Sequence, residues 1–247
     1  MSQTAFQNKV ALVTGGGTGI GKSITETLVL RGAKVVITGR REEPLKNLSA
    51  AHPDQVAYIQ ADVAQPGDAK KAVDFTINAF GRLDVLVNNA GTFSMAPLVE
   101  VSDEEIARVF AVNVQGLLSF SREAIPHLAK TKGSIVNTSS TVATGVMPGA
   151  SVYSGSKAAV DHITRILAAE LGPMGIRVNA VSPGLTRTDM SAPITSHDET
   201  LQGMVAQTPL GRLGEPIDIA RVVAFAASDD AGWVTGQIIA SSGGIML

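Results

Sequence analysis

Short apolar and β-branched runs alternate along the chain with longer stretches that fit a helix. The segments 10–14, 34–38, 56–60, 84–88, 134–138, 176–181 and 237–240 read as strands. Most are near-continuous apolar runs, the pattern of parallel strands covered on both faces. Helical stretches lie between them at roughly 19–31, 42–50, 66–80, 103–129, 151–172 and 216–228. This alternation predicts an α/β fold, a doubly wound parallel sheet of about seven strands with helices on both faces. No linker, repeat or low-complexity block interrupts residues 1–247, so a single domain is expected.

Two helical stretches are too apolar for a helix with one wet face. Across 106–125, Ile106, Val109, Phe110, Val112, Val114, Leu117, Leu118, Phe120 and Ile125 wrap beyond a single stripe. The stretch 151–172 sets the small residues Ser154, Gly155, Ser156, Ala158 and Ala159 beside Val160, Ile163, Ile166 and Leu167. Deep burial against the sheet and a subunit interface both account for such a pattern.

Composition narrows the function classes. Hydrophobic residues make up 45% of the 247 and charged residues 17%, enough for a core and unlike a disordered chain. Twenty Lys and Arg against 22 Asp and Glu give a net charge of −2, with no electrostatic reason to expect nucleic acid or an anionic membrane. The absence of cysteine removes disulfides, thiolate metal sites and cysteine nucleophiles, and fits a reducing compartment. The first residues lack a basic-then-apolar signal, and no apolar run reaches the ~18–20 residues that span a bilayer. A soluble, cytoplasmic protein without a membrane partner is expected. His52, His127, His162 and His197 are scattered without ligand spacing, so no metal is expected.

The first strand runs into Thr14-Gly15-Gly16-Gly17-Thr18-Gly19-Ile20-Gly21, and a helix follows. Glycines there allow a tight turn and close backbone approach to a pyrophosphate, whose charge the helix N-terminus favours. The spacing is Gly15-x-x-x-Gly19-x-Gly21, not a strict G-x-G-x-x-G. Gly16-x4-Gly21-Lys22-Ser23 also matches a P-loop literally. Against that, no acidic strand end follows where magnesium needs a ligand; strands two to four end in Gly39-Arg40-Arg41, Asp62 and Asn88-Asn89-Ala90-Gly91.

The second strand reports on the cofactor. A carboxylate at its tip would hold a ribose 2′-hydroxyl, and none is present. Arg40 and Arg41 offer bidentate partners for a 2′-phosphate, which favours NADPH/NADP+ over NADH. Two solvated arginines paired with Glu42 and Glu43 are the plainer alternative.

Tyr153 and Lys157 stand four residues apart on a helical stretch, with Ser139-Ser140 upstream. At that spacing their Cβ atoms lie roughly 5–6 Å apart on one face. A lysine charge so close is expected to pull the phenol down from its usual pKa of about 10, giving a general acid/base. Alone, a surface Tyr–Lys pair reads the same way.

Taken in order, Thr14-Gly-x-x-x-Gly-Ile-Gly21, Asn88-Asn-Ala-Gly91, Asn113, Ser140, Tyr153-x-x-x-Lys157 and Pro183-Gly184 resemble the short-chain dehydrogenase/reductase family across essentially the whole chain. The resemblance implies a Rossmann-type fold and NADPH-dependent reduction of a ketone or aldehyde, reversible as alcohol oxidation. Tyr153 would give or take the proton, Ser140 would hydrogen-bond the substrate oxygen, and Lys157 would hold the nicotinamide ribose. Asn113 would hold a water linking Lys157 to solvent. The resemblance further implies cofactor contacts from Gly15, Gly17, Thr18, Gly19, Ile20, Gly21, Arg40, Arg41, Asp62, Val63, Asn89, Ala90, Gly91, Pro183, Gly184, Thr186 and Thr188, with Asn88 beginning the cofactor wall. It also implies a homotetramer, which would cover the two over-apolar helices. The chain departs from the family at Ser241-Ser242-Gly243-Gly244, where an aspartate often precedes the glycines.

Substrate choice is expected to lie in a lid, 185–208, and in Val142, Val146 and Met147. Ala192, Pro193, Ile194 and Met204 suggest an apolar pocket for a small carbonyl or alcohol, while Arg187, Asp189, His197, Asp198 and Glu199 can face water. A 3-oxoacyl-[acyl-carrier-protein] reductase is the alternative within the enzyme class and would want a basic patch near the site, for which Lys130 and Lys132 are candidates. A dinucleotide-sensing protein that has lost catalysis is the alternative of another class. The presence of Asn113, Ser140, Tyr153 and Lys157 speaks against it.

Overall fold

The structure, a computed structural model, describes residues 4–196 and 198–246. Its sheet has seven strands: β1 (Val10–Thr14), β2 (Lys34–Gly39), β3 (Val56–Gln60), β4 (Val85–Asn88), β5 (Ser134–Thr138), β6 (Arg177–Pro183) and β7 (Ile238–Ser241). They lie in the order β3-β2-β1-β4-β5-β6-β7, and every pairing is parallel. The chain thus winds outward from β1 in one direction and then from β4 in the other, which leaves a crevice at the carboxyl ends of β1 and β4.

Successive strand residues point to opposite faces, so a strand apolar at every position feeds two cores. Val13, Val35, Ile37 and Val87 join α1 (Gly19–Leu30) and α9 (Pro216–Ala227) through Ile24, Leu28, Ala220 and Val223. Leu12, Val36, Leu86 and Ile135 face the other way, against α3 (Asp68–Phe80), α5 (Gly116–Thr131) and α6 (Ser151–Leu171) through Val73, Phe120, Leu128 and Leu171. The short α2 (Glu42–Ala51) buries only Leu45 and Leu48.

The stretch expected as one helix over 103–129 is broken. It comprises α4 (Asp103–Phe110), a π-helical turn at Ala111–Gln115, and α5. Ser102 caps α4, its hydroxyl accepting from the Glu105 amide at 3.2 Å. The π turn coincides with two local demands. Gly116 lies so close to Val63 that a Cβ on it would come within 2.8 Å of the Val63 Cβ, and Asn113 is engaged by the loop after β4. Burial explains part of the apolar excess, since Val109, Leu117 and Phe120 are enclosed, but Phe110, Leu118 and Ile166 keep 39%, 41% and 46% exposure.

The expected lid carries two short helices, α7 (Ala192–Thr195) and α8 (Asp198–Ala206). His197 lies outside the described residues, as do the side chains of Pro193 and Ile194. No helix among the described residues is long and apolar enough to cross a membrane.

Candidate active site

One residue of β1 ties the crevice together. The Thr14 hydroxyl accepts from the amides of Asn89 and Ala90, both at 3.0 Å, across the β1–β4 boundary. The Asn89 side-chain amide returns bonds to the carbonyls of Thr14 (3.0 Å) and Gly15 (3.3 Å). The loop above this seam is packed to backbone contact. A Cβ on Gly21 would fall 2.0 Å from the Gly15 carbonyl oxygen, and Gly15 itself adopts φ +64° against Ala90. Side chains are excluded there by geometry, which leaves a cradle of amides at the start of α1 that suits a pyrophosphate.

A cleft of about 450 Å³ opens over the seam. Gly15, Thr18, Gly19, Ile20 and Gly21 line it at one end with Arg40, Arg41, Asp62 and Val63; Asn89, Ala90 and Gly91 form a wall, and Pro183, Gly184, Thr186 and Thr188 enter from after β6. Gly17 does not line it, because that residue turns toward Pro44 and Leu45 of α2. Asn88 does not line it either. It is buried, and its amide donates to Asn137 (2.9 Å) and Ser121 (3.1 Å), so its role is to bridge β4 to β5 and α5.

Arg41 reaches across the cleft mouth. Its Nη2 donates to the Thr18 hydroxyl at 3.3 Å and stands 3.8 Å from the Asp189 carboxylate in the segment after β6. Ser191 folds the start of the segment after β6, its hydroxyl donating to the Thr186 carbonyl at 2.6 Å and accepting from the Thr188 amide at 3.0 Å.

The first two turns of α6 set Tyr153 and Lys157 on the cleft wall, with Ser140 opposite in extended backbone (φ −164°). Ser140 hydrogen-bonds the Tyr153 phenol. Lys157 is 4% exposed, and its ammonium donates to the Thr138 carbonyl at 2.7 Å. Asn113 sits behind, where the π turn presents it: its Oδ1 accepts from the Thr92 amide (2.8 Å), and its Nδ2 donates to the Thr92 carbonyl and to Ser156, each at 3.0 Å. A small second cavity lined by Asn88, Asn113, Thr138 and Lys157 lies beneath the cleft.

The electrostatics overturn one expectation. Burial pushes the Tyr153 phenol above its usual value, opposed only by the Ser140 hydrogen bond. Lys157 does not pull it down, because its ammonium lies 5.9 Å from the Tyr153 ring centroid and is turned toward Thr138. Burial also lowers Lys157 itself to about 8, with the Asp161 charge holding it up.

Sequence reasoning missed Phe93, whose ring meets Tyr153 edge-on in the cleft. It also missed Met190, Ile245 and Met246, which join Val142, Met147, Leu185 and Met204 along the apolar half of the cleft. Val146 and Ala192 do not line it, Val146 being 88% exposed. Arg187 points away to Glu215 at 3.1 Å. Lys130 and Lys132 are not near the site. They flank the end of α5, just ahead of β5, whereas Ser140 follows the opposite end of that strand.

A family model described as enoyl-(acyl carrier protein) reductase matches residues 15–246. An oxidoreductase of Methylorubrum extorquens is 46% identical over 247 residues, covering 97% of this chain and 98% of that protein. Versicolorin reductase 1 of Aspergillus parasiticus is 41% identical over 254 residues, covering 97% of each. A 3-oxoacyl-[acyl-carrier-protein] reductase of Thermotoga maritima is 36% identical over 246 residues, covering 98% and 99%. Among solved structures, a short-chain dehydrogenase/reductase, glucose/ribitol dehydrogenase, from Brucella melitensis superposes with a TM-score of 0.95 over 100% of both chains at 35% identity.

Proposed function

Because the chain belongs to the short-chain dehydrogenase/reductase family of oxidoreductases, we propose that it uses NADPH to reduce an uncharged ketone or aldehyde, reversibly. The observation that carries this reading is the convergence of Ser140, Tyr153 and Lys157 on the cleft that the glycine loop closes.

The residues fit a nicotinamide dinucleotide, since the Gly15–Gly21 contact admits backbone alone and lets a pyrophosphate approach the start of α1 closely. When bound, the cofactor supplies or accepts the hydride. Arg40 and Arg41 meet a 2′-phosphate, and the strand tip places no carboxylate against it. Lys157 holds the nicotinamide ribose, and Asn113 keeps Lys157 in touch with water. Tyr153, raised by burial, is protonated at neutral pH and donates to the carbonyl oxygen while Ser140 steadies the growing negative charge.

Substrate chemistry follows from the lining. Around Tyr153 the wall is Phe93, Val142, Met147, Met190, Met204 and Met246, with Lys157 beside it turned toward Thr138, and the other charged lining residues, Arg40, Arg41, Asp62 and Asp189, belong to the Arg41 end. A neutral apolar carbonyl suits that half better than a sugar phosphate or a carrier-bound acyl chain. Similarity to the carrier-protein reductase of Thermotoga maritima favours the second reading, but the two lysines offered for it lie at the wrong end of β5. The exposed Phe110, Leu118 and Ile166 support assembly as a homotetramer.

The test is NADPH oxidation against a panel of neutral ketones and aldehydes, with Tyr153→Phe as the control. Turnover by the wild type and none by the variant is expected. Tight NADPH binding with no turnover of any carbonyl would sink the enzyme reading in favour of a dinucleotide sensor, and equal efficiency with NADH would contradict the role of Arg40 and Arg41.

A further inference from the structure

One buried acid in this region has no part in the reaction above. Asp161 lies one turn beyond Lys157 on α6, at the i+4 spacing that places two side chains on one face. It is 5% exposed, and its Oδ1 has no hydrogen-bond partner among the described residues. The Ser139 hydroxyl, 2% exposed and likewise without a well-formed bond, faces the carboxylate closely enough to favour its charged form. A carboxylate kept at such cost in a buried position calls for a compensating gain.

We propose that Asp161 is a positioning residue: its negative charge holds Lys157 in the ammonium form, and its carboxylate steadies Ser139 so that the adjoining Ser140 stays against Tyr153. The inference rests on the reading of Tyr153 as proton donor and Lys157 as its partner.

Three observations support it. Lys157 is buried and, among the described residues, donates only to the neutral Thr138 carbonyl, so that bond brings no opposite charge to the ammonium. Among the described residues, Asp161 is the single charge that holds Lys157 up against burial. On its side, burial pushes the Asp161 carboxyl up, opposed by Ser139 from the loop after β5, then by Arg165 and last by Lys157, both on α6. Among the described residues, the other elements packed on α6 (β5, β6, α4, the π turn and the turns at 141–143 and 172–174) set no charge against it. Asp161 therefore links the two halves of the proton-transfer set, with Lys157 on its own helix and Ser139-Ser140 across from it.

The experiment follows the lysine and the carboxyl separately from turnover. Carbon-13 NMR of labelled lysine Cε and aspartate Cγ gives the titrations of Lys157 and Asp161 in the NADPH-free protein. Kinetics with NADPH and a neutral ketone give the pH profile of kcat/KM. In the wild type Asp161 is expected to be ionised at pH 7. Asp161→Asn should move the Lys157 midpoint down by about one pH unit. The alkaline limb of kcat/KM should move with it, so that activity near pH 8.5 falls roughly tenfold while the plateau near pH 6 holds. Asp161→Glu, which keeps the charge, should restore the limb. A protonated Asp161 at pH 7 in the wild type would overturn the proposal, and that measurement stands even where Asp161→Asn fails to fold. An unmoved Lys157 midpoint, or a loss of activity equal at every pH, would also overturn it. Wild-type protein with coupled titrations but no turnover would leave the pairing intact and sink the proton-donor reading instead.

Discussion

The ring of Phe93 meets that of Tyr153 edge-on, centroids 4.9 Å apart and planes at 73°. Arg108 fixes the loop behind it, donating to the Thr92 hydroxyl at 2.5 Å and the Phe93 carbonyl at 3.5 Å while Glu105 grips its other face. Phe93→Ala should free the Tyr153 ring. Such an aromatic contact contributes about 1 kcal/mol, so kcat/KM should fall roughly fivefold, as steady-state kinetics would read.

Lys157 should be destabilising as well as useful. Its folded pKa of about 8 lies below the 10.5 of an unfolded lysine, so between those values the unfolded chain binds more protons. The penalty is then full below pH 8 and fades as pH rises toward 10.5. Lys157→Met should abolish turnover yet raise stability near pH 7 by roughly 2–3 kcal/mol, with the gap closing toward pH 10. Paired denaturant melts at the two pH values check the sign.

Two glycines should respond oppositely to alanine. At Gly21 the new Cβ would meet the Gly15 carbonyl at 2.0 Å, so Gly21→Ala should weaken NADPH binding by roughly tenfold or more, read by fluorescence titration. At Gly155 an added Cβ would meet no packed neighbour within 4 Å among the described residues and the backbone is helical, so Gly155→Ala should stabilise the fold by about 0.5–1 kcal/mol.

Asp189 competes for Arg41 with any 2′-phosphate, and both side chains of the pair are open to solvent. Asp189→Asn should tighten NADPH roughly two- to fivefold and leave NADH unchanged, the modest effect expected of an exposed ion pair. A comparison of the two dissociation constants at low and high salt would show it.

The sheet was legible because a parallel strand needs apolar residues on both faces. Leu12 and Val13 point into different cores, so β1 shows as an unbroken run. The glycine loop and the Tyr153–Lys157 spacing were legible for a similar reason, since backbone contact and helix period leave marks in the sequence itself. Phe93, Met246 and Asp161 were not. Phe93 is aimed by Arg108, fifteen residues on, and Met246 lies against Gly145 from a distant part of the chain. An acid at helical spacing also looks like any solvated pair until its burial is known. The direction of the Tyr153 shift was misjudged because spacing gives proximity on a helix but not where an ammonium points.

The π turn at Ala111–Gln115 gives the two helices it joins independent phases. An α-helix running unbroken from Asp103 to Thr131 would tie the apolar face of α4 to that of α5 at a fixed 100° per residue. With one wider turn between them, Val109 and Phe120 can each be buried at an angle of its own, and the buried Asn113 falls within that turn. Shortening the turn by one residue would restore a regular helix and swing every later side chain by about a quarter turn or more. In this respect the chain spends helical regularity to keep one amide aimed at the site.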